Sequence, residues 1–332
     1  MKKLVMGIAL FLACVAPARA DEPQPEDAAL RTGTFTLGPL HVDRKYPSMT
    51  GPSKTGRVTI GSDEKSQNIW IKSFRVDVSD DAGAPVSSEY LCHSWVVLGK
   101  PQLGDQRLMT VSQGLEEMKF PQGFAIKAEN AANNASILAQ ALNNNDDIDK
   151  KLSYTLTVHY VDDADAEKYA LKPLRTVTVA VMAKDTNTAP SSSGDICTTQ
   201  DGMLEPMPAG MSSLVHFNVP PGRHEYKSPI DRTNPIYMGG NIHYIKLHLH
   251  PYGESVTLTD KTNGKTVWHG KTIKDKKKAA LTDADFYSSV EGIRIEPAHE
   301  YEITTVYNNT SNSVTDAMAV LRLYVAGDAK AF

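Results

Sequence analysis

The chain has few cysteines, no excess of positive charge and no hydrophobic run long enough to cross a bilayer. Its 332 residues include three cysteines, which excludes a scaffold built on disulfides. Lys and Arg number 35 against 39 Asp and Glu, a formal charge of −4 that argues against a nucleic-acid partner. The one basic cluster, Lys276-Lys277-Lys278, stands beside Asp275 and reads as a solvated loop. Strong helical periodicity is almost absent, so a helical bundle is excluded. There is no Gly-rich phosphate loop, no Gly-x-Ser-x-Gly elbow and no carboxylate pair spaced for acid–base work.

What is present begins with an export signal. Lys2 and Lys3 precede an apolar run over residues 4–15, and Ala18-Arg19-Ala20 fits a small-x-small cleavage site. The run is too short to span a membrane. Residues 1–20 are therefore expected to be a signal peptide, with the mature chain starting at Asp21, periplasmic or secreted and not inserted in a membrane. Losing Lys2, Lys3 and Arg19 leaves 32 basic against 39 acidic residues, a net of −7. Cys92 and Cys197 remain. They could form one bridge, or leave a thiol for a metal.

About 310 mature residues exceed one comfortable core, which predicts two domains. Most segments are short, rich in Val, Ile, Thr and Tyr, and punctuated by Gly, Pro, Asn and Asp, as in antiparallel β proteins. The expected fold is all-β: two antiparallel, jelly-roll-like β-sandwiches joined by a linker. The Ser/Pro/Gly-rich chemistry around residues 188–210 marks that linker. The boundaries read as 21–185 for the first domain, 186–210 for the linker and 211–332 for the second. The exception to the β pattern is Asn130 to Leu142, whose alanines and polar residues read as a short helix.

Side chains alternate along a strand, so each strand can be asked which face carries its unusual residues. In residues 151–161, Leu152, Tyr154, Leu156, Val158 and Tyr160 take the apolar face and His159 the other. In residues 243–250, Ile245, Leu247 and Leu249 face a core, while Tyr244, Lys246, His248 and His250 share the opposite face. In residues 317–325 the apolar face is complete without Met318, which lies with Val320, Arg322 and Tyr324. Two imidazoles with a thioether suit copper, especially Cu(I); zinc is open through the histidines, as are two merely hydrogen-bonded histidines. His243 falls on the core side. His41, His216, His224, His269 and His299 have no partner at ligand spacing and receive no role.

Those residues carry a resemblance. Val219-Pro220-Pro221-Gly222, Lys246-Leu247-His248-Leu249-His250 and Asp316-Ala317-Met318 are similar to motifs of the copper type II ascorbate-dependent monooxygenases, the family of peptidylglycine α-hydroxylating monooxygenase. Tyr90 to Val97 and Thr157-Val158-His159-Tyr160 resemble that family's first domain in outline. Pro85 to Val97 and Tyr46 to Pro52 look closer to stress-upregulated nodulin-type proteins. The resemblance implies an oxygen-activating copper on His248, His250 and Met318, and an electron-transfer copper on His93 and His159, with Cys92 as a conceivable third ligand. A Cys92–Cys197 bridge would exclude that last role. The family's paired histidines are here reduced to His93, between Cys92 and Ser94. Its carboxylate-binding positions hold Lys246, Val320 and Arg322, so Lys246 and Arg322 would meet an anionic group of an unknown small-molecule or peptide substrate. Three functions follow: C–H hydroxylation with O2 and a reductant such as ascorbate; copper storage, delivery or sensing without turnover; and a structural or adhesive β-sandwich protein without metal.

Overall fold

The computed structural model describes residues 23–46, 50–61, 68–98, 107–129, 131, 135–144, 149–182, 215–274 and 280–327. The expected signal peptide, the expected 186–210 linker, Cys197 and the 276–278 lysine run lie outside them. The first half contains β1 (Arg31–Val42), β2 (Ser53–Val58), β3 (Ile69–Ser79), β4 (Leu91–Leu98), β5 (Arg107–Ser112), β6 (Glu117–Lys119), β7 (Phe124–Ala128), β8 (Ala135–Ala141), β9 (Lys150–Asp162), helix α1 (Asp163–Lys168) and β10 (Lys172–Pro173). The second contains β11 (Arg175–Ala180), β12 (His216–Val219), β13 (Gly222–Pro229), β14 (Gly240–Leu249), β15 (Gly253–Asp260), β16 (Lys265–Lys274), β17 (Leu281–Ala284), β18 (Phe286–Ile295), β19 (Tyr301–Asn309) and β20 (Thr315–Ala326).

These strands form two sandwiches, and the protein is all-β. In the first, the sheet β1-β9-β3-β7-β10, with β6 on β3, packs against β2-β8-β4-β5. In the second, β11-β20-β14-β18, with β12 also on β20, packs against β13-β19-β15-β16-β17. The period-two faces hold in detail. Leu152, Tyr154, Leu156, Val158 and Tyr160 of β9 enter the first core. Ile245, Leu247 and Leu249 of β14 and Ala317, Ala319, Leu321, Leu323 and Val325 of β20 enter the second. Each large apolar side chain removed from water in this way contributes about 1.5–3 kcal/mol.

Two expectations are corrected. Residues 135–141 are not helical but form β8, paired with β2 on one side and β4 on the other. Ile137, Ala139 and Ala141 fill the first core and Leu138 packs outward on Trp95 and Val97, so neighbours on both faces override alanine's helical preference. The first domain also ends earlier than residue 185. β10 is the last strand of the first sandwich, whereas β11 pairs with β20, and Val177, Val179 and Val181 belong to the second core.

The outer face of β14 and β20 is covered, not solvated. Along β14, His243 stacks on Phe124 at 3.8 Å, Tyr244 meets the edge of Phe120 at 5.6 Å, and Lys246 donates from Nζ to Ser112 Oγ of β5 at 3.0 Å. Beyond them Met318 and Val320 pack with Cys92 and Leu142. The two sandwiches are thus joined through the face that the alternation leaves polar. His243 is buried, as its place on the core side predicts, with Nδ1 3.0 Å from the Ser289 carbonyl. It faces the first sandwich, because a bulge between Ile242 and Tyr244 interrupts the alternation.

Candidate metal centre

β12 lies antiparallel on the start of β20, with His216 opposite Met318 and Asn218 opposite Asp316. Phe217 and Val219 point into the second core, which leaves His216 on the outer face. β14 ends beside them. The His250 backbone N–H is shared between the Met318 carbonyl at 3.3 Å and Tyr307 Oη at 3.1 Å. Tyr307, fully buried, donates its own hydroxyl to the same Met318 carbonyl at 2.6 Å. A turn, with Tyr252 at φ 71° and the Gly253 N–H on the His250 carbonyl, then leads into β15. The His250 main chain is therefore fixed at both its N–H and its carbonyl.

Around Asp316 the side chains converge. His216 Nδ1 lies 3.0 Å from both carboxylate oxygens, and His250 Nδ1 lies 3.1 Å from Oδ2, an ion-pair distance without hydrogen-bond alignment. One ligand atom from each of His216, His250 and Asp316 lies within 4.8 Å of the other two. Ring centres are 5.3 Å apart for His216 and His250, and 5.4 Å for His248 and His250. Two imidazoles on one tetrahedral ion, each at about 2.0–2.1 Å, hold their ring centres roughly 5 Å apart. The Nε2 atoms of His216 and His250 are buried with no hydrogen-bond partner. A buried polar atom without a partner costs about 1–3 kcal/mol, and a metal ion would satisfy both. The residues therefore fit a metal ion, with Asp316 as a ligand or as the group that fixes the imidazole tautomers.

Electrostatics support the ligating protonation states. Burial works to raise the Asp316 pKa, but its close contacts with His216 and His250 outweigh it and hold the carboxyl far below its usual range. Burial pushes His250 down, opposed by Asp316. Burial also drives His248 well below an ordinary imidazole, reinforced by repulsion from His250, Lys246, His93 and His216. A neutral imidazole is the form that binds metal.

The residues expected from the sequence are distributed as follows. His248 and His250 are neighbours, with ring centres 5.4 Å apart, and Met318 packs with Val320, Cys92 and Leu142. Cys92 lines one small cavity with His248, His250, Ser112, Gln113 and Leu142. His93, on the next residue of β4, is buried, stacks on Trp95 at 4.7 Å and has an unpartnered Nε2. Burial and then the charges of Arg107, Lys246 and His250 depress its pKa. His159 does not join them. It sits on the outer face of the opposite sheet, across the first core, with Nδ1 2.8 Å from Ser73 Oγ. A centre made of Cys92, His93 and His159 is thus not assembled, and Cys92 and His93 lie on the His248 side. Cys92 is buried, and the other half of its suggested bridge, Cys197, falls outside the described residues.

Lys246 and Arg322 stand opposite each other on β14 and β20, both buried, rather than on an open polar face. Arg107 of β5 is buried too, with its guanidinium 5.9 Å from the Trp95 ring. His216 was missed in sequence, being 100 positions from Asp316 and brought to it only by β12–β20 pairing. Its signal was faint: a histidine alternating with Phe217 and Val219. Other histidines have ordinary partners. His41 meets Asp149 at 2.7 Å, His269 meets Thr257 at 2.8 Å and His299 meets Asp260 at 2.6 Å.

No family model matches the chain, and no curated protein matches it. Among solved structures it is similar to the major capsid protein P2 from bacteriophage PM2, at 10% identity and a TM-score of 0.37, covering 90% of this chain and 100% of that one. The STIV MCP is similar at 11% identity and a TM-score of 0.37, over 89% and 96% of the two chains. PNGase F, a glycosylasparaginase from Flavobacterium meningosepticum, is similar at 8% identity and a TM-score of 0.37, over 90% and 97%. Likenesses of this degree carry nothing about activity.

Proposed function

We propose that this is an exported copper-binding protein, with one copper held by His216, His248 and His250 and with Asp316 fixing the imidazoles. The observation that carries the reading is the pair of buried, unpartnered Nε2 atoms on two histidines clamped by one carboxylate. The sulfur of Met318, on the strand face that His248 shares, favours copper over zinc. The motifs around His248, His250 and Met318 that resemble copper monooxygenases support the same metal, and residues 1–20 support export.

The protein's own contribution is to hold and shield. Tyr307 and the Met318 carbonyl fix the His250 backbone, Asp316 orients two rings, and Cys92, Leu142 and Val320 limit water. Bound copper would supply one-electron and oxygen chemistry. Storage or delivery is favoured over hydroxylation because the two sandwiches pack directly on each other beside the site, through Cys92, Leu142, Met318 and Val320. His93 is also the one histidine that the first sandwich brings to this side among the described residues.

The test is metal analysis of mature protein loaded with copper and dialysed. About one equivalent should be retained, and His216→Ala/His250→Ala should lose it. Equal copper in both proteins would overturn the reading. Reductant-dependent oxygen consumption by the loaded protein would instead support the monooxygenase alternative.

A further inference from the structure

On the outer face of β14, Lys246 and His248 are consecutive, about 7 Å apart along the strand. Lys246 is 2% exposed, and its Nζ donates to Ser112 Oγ at 3.0 Å. Ser112 in turn lines the small cavity that His248 and His250 also line. Arg322 stands directly opposite Lys246 on β20, as Val320 stands opposite His248. It is buried as well, and a guanidinium keeps its charge in any protein surroundings. Both cations therefore occupy the row of side chains next to His248, on the side away from Asp316. Charges buried in this way are screened far less by salt than charges on the surface.

We propose that Lys246 and Arg322 tune the centre toward Cu(I): their charge repels a divalent occupant, Cu(II) or Zn(II), more than a monovalent one. This deepens the copper reading above and rests on it. A divalent ion carries one more unit of charge than Cu(I). Against a cation about 10 Å away, at an effective dielectric of about 20, that unit is worth roughly a tenfold change in affinity. The same burial would follow if the two side chains only held the sandwiches together. A purely structural role has no preference between Cu(I) and Cu(II).

The test measures two affinities of the mature protein: for Cu(I) against a Cu(I)-selective chelator without oxygen, and for Cu(II) against a Cu(II) chelator in air. Lys246→Met and Arg322→Gln should each lower the Cu(I)-to-Cu(II) affinity ratio about tenfold, lowering the reduction potential of the bound ion by about 59 mV. Zn(II) affinity should rise relative to Cu(I) in the same two variants. Lys246→Arg, which keeps the charge, should keep the ratio of the unchanged protein. A variant that loosens the fold weakens both affinities together, so the ratio still reports selectivity. Copper retained with the same ratio in all four proteins would overturn the selectivity assignment while leaving the copper reading standing. Failure of the unchanged protein to retain copper in either oxidation state would overturn both.

Discussion

His250 and Asp316, from the ends of two neighbouring strands, meet with Nδ1 3.1 Å from the carboxylate, which His216 also contacts at 3.0 Å. The carboxylate keeps its charge because two imidazoles surround it, which overcomes the cost of its burial. Its role toward a metal is to fix which ring nitrogens are offered. Asp316→Asn keeps the shape and removes the charge, and should weaken copper affinity by about 10–100-fold. Competition against a chromogenic chelator would read this. Unchanged affinity would mean that Asp316 neither binds nor orients.

His248 and His159 make a matched pair of controls. Both looked like candidate ligands on the polar face of a strand, yet His248 lies 5.4 Å from the His250 ring and His159 bonds Ser73 in the opposite sheet. His248→Ala should lower copper affinity at least as much as Asp316→Asn, and His159→Ala should leave both stoichiometry and affinity as they are. Copper loss in His159→Ala would contradict the single centre.

The metal-free protein should lose stability in acid. Burial pushes the pKa of His93, His248 and His250 below the ordinary 6.5. The unfolded chain therefore binds protons that the folded chain refuses as the pH drops past about 6.5, and stability falls with pH in that window. Three such groups give a slope of up to about 4 kcal/mol per pH unit. Asp316, also depressed, adds a loss of the same sign at lower pH. Urea midpoints measured at pH 7.5 and 5.5 should differ clearly; equal midpoints would show that these rings titrate freely.

The Lys246–Ser112 bond tests how the sandwiches are joined. Burial first, then Arg322 and Arg107, depress the Lys246 pKa, and Glu116 opposes them. Ser112→Ala should destabilise by about 1–3 kcal/mol by stranding the amine. Lys246→Met, which removes the buried charge and keeps the volume, should be close to neutral. In the Lys246→Met background the Ser112 change should cost little, a coupling that a double-mutant cycle on denaturant midpoints would show.

Much of the fold was readable from alternation alone. The inward faces of β9, β14 and β20 follow from period two, as does the placing of His248, Met318 and Val320 away from the second core. What lay beyond it was set by partners distant in the chain. Alternation identifies the face that avoids its own core but not what covers that face, so Lys246 and Arg322 looked solvated while the first sandwich buries them. The alanines of β8 carry no strand propensity and are held by β2 and β4. β11 crosses to the second sandwich because its valines complete that core. The bulges at His243 and Cys92 arise from pairing register, and His216 meets Asp316 only through β12–β20 pairing.

The central claim is the position of the metal. Crystals of copper-loaded protein, with diffraction collected on either side of the copper absorption edge, would locate it directly. The account predicts one anomalous peak among the His216, His248 and His250 rings, beside Asp316. A peak elsewhere, at His159 for example, or no peak in protein shown to contain copper, would contradict it.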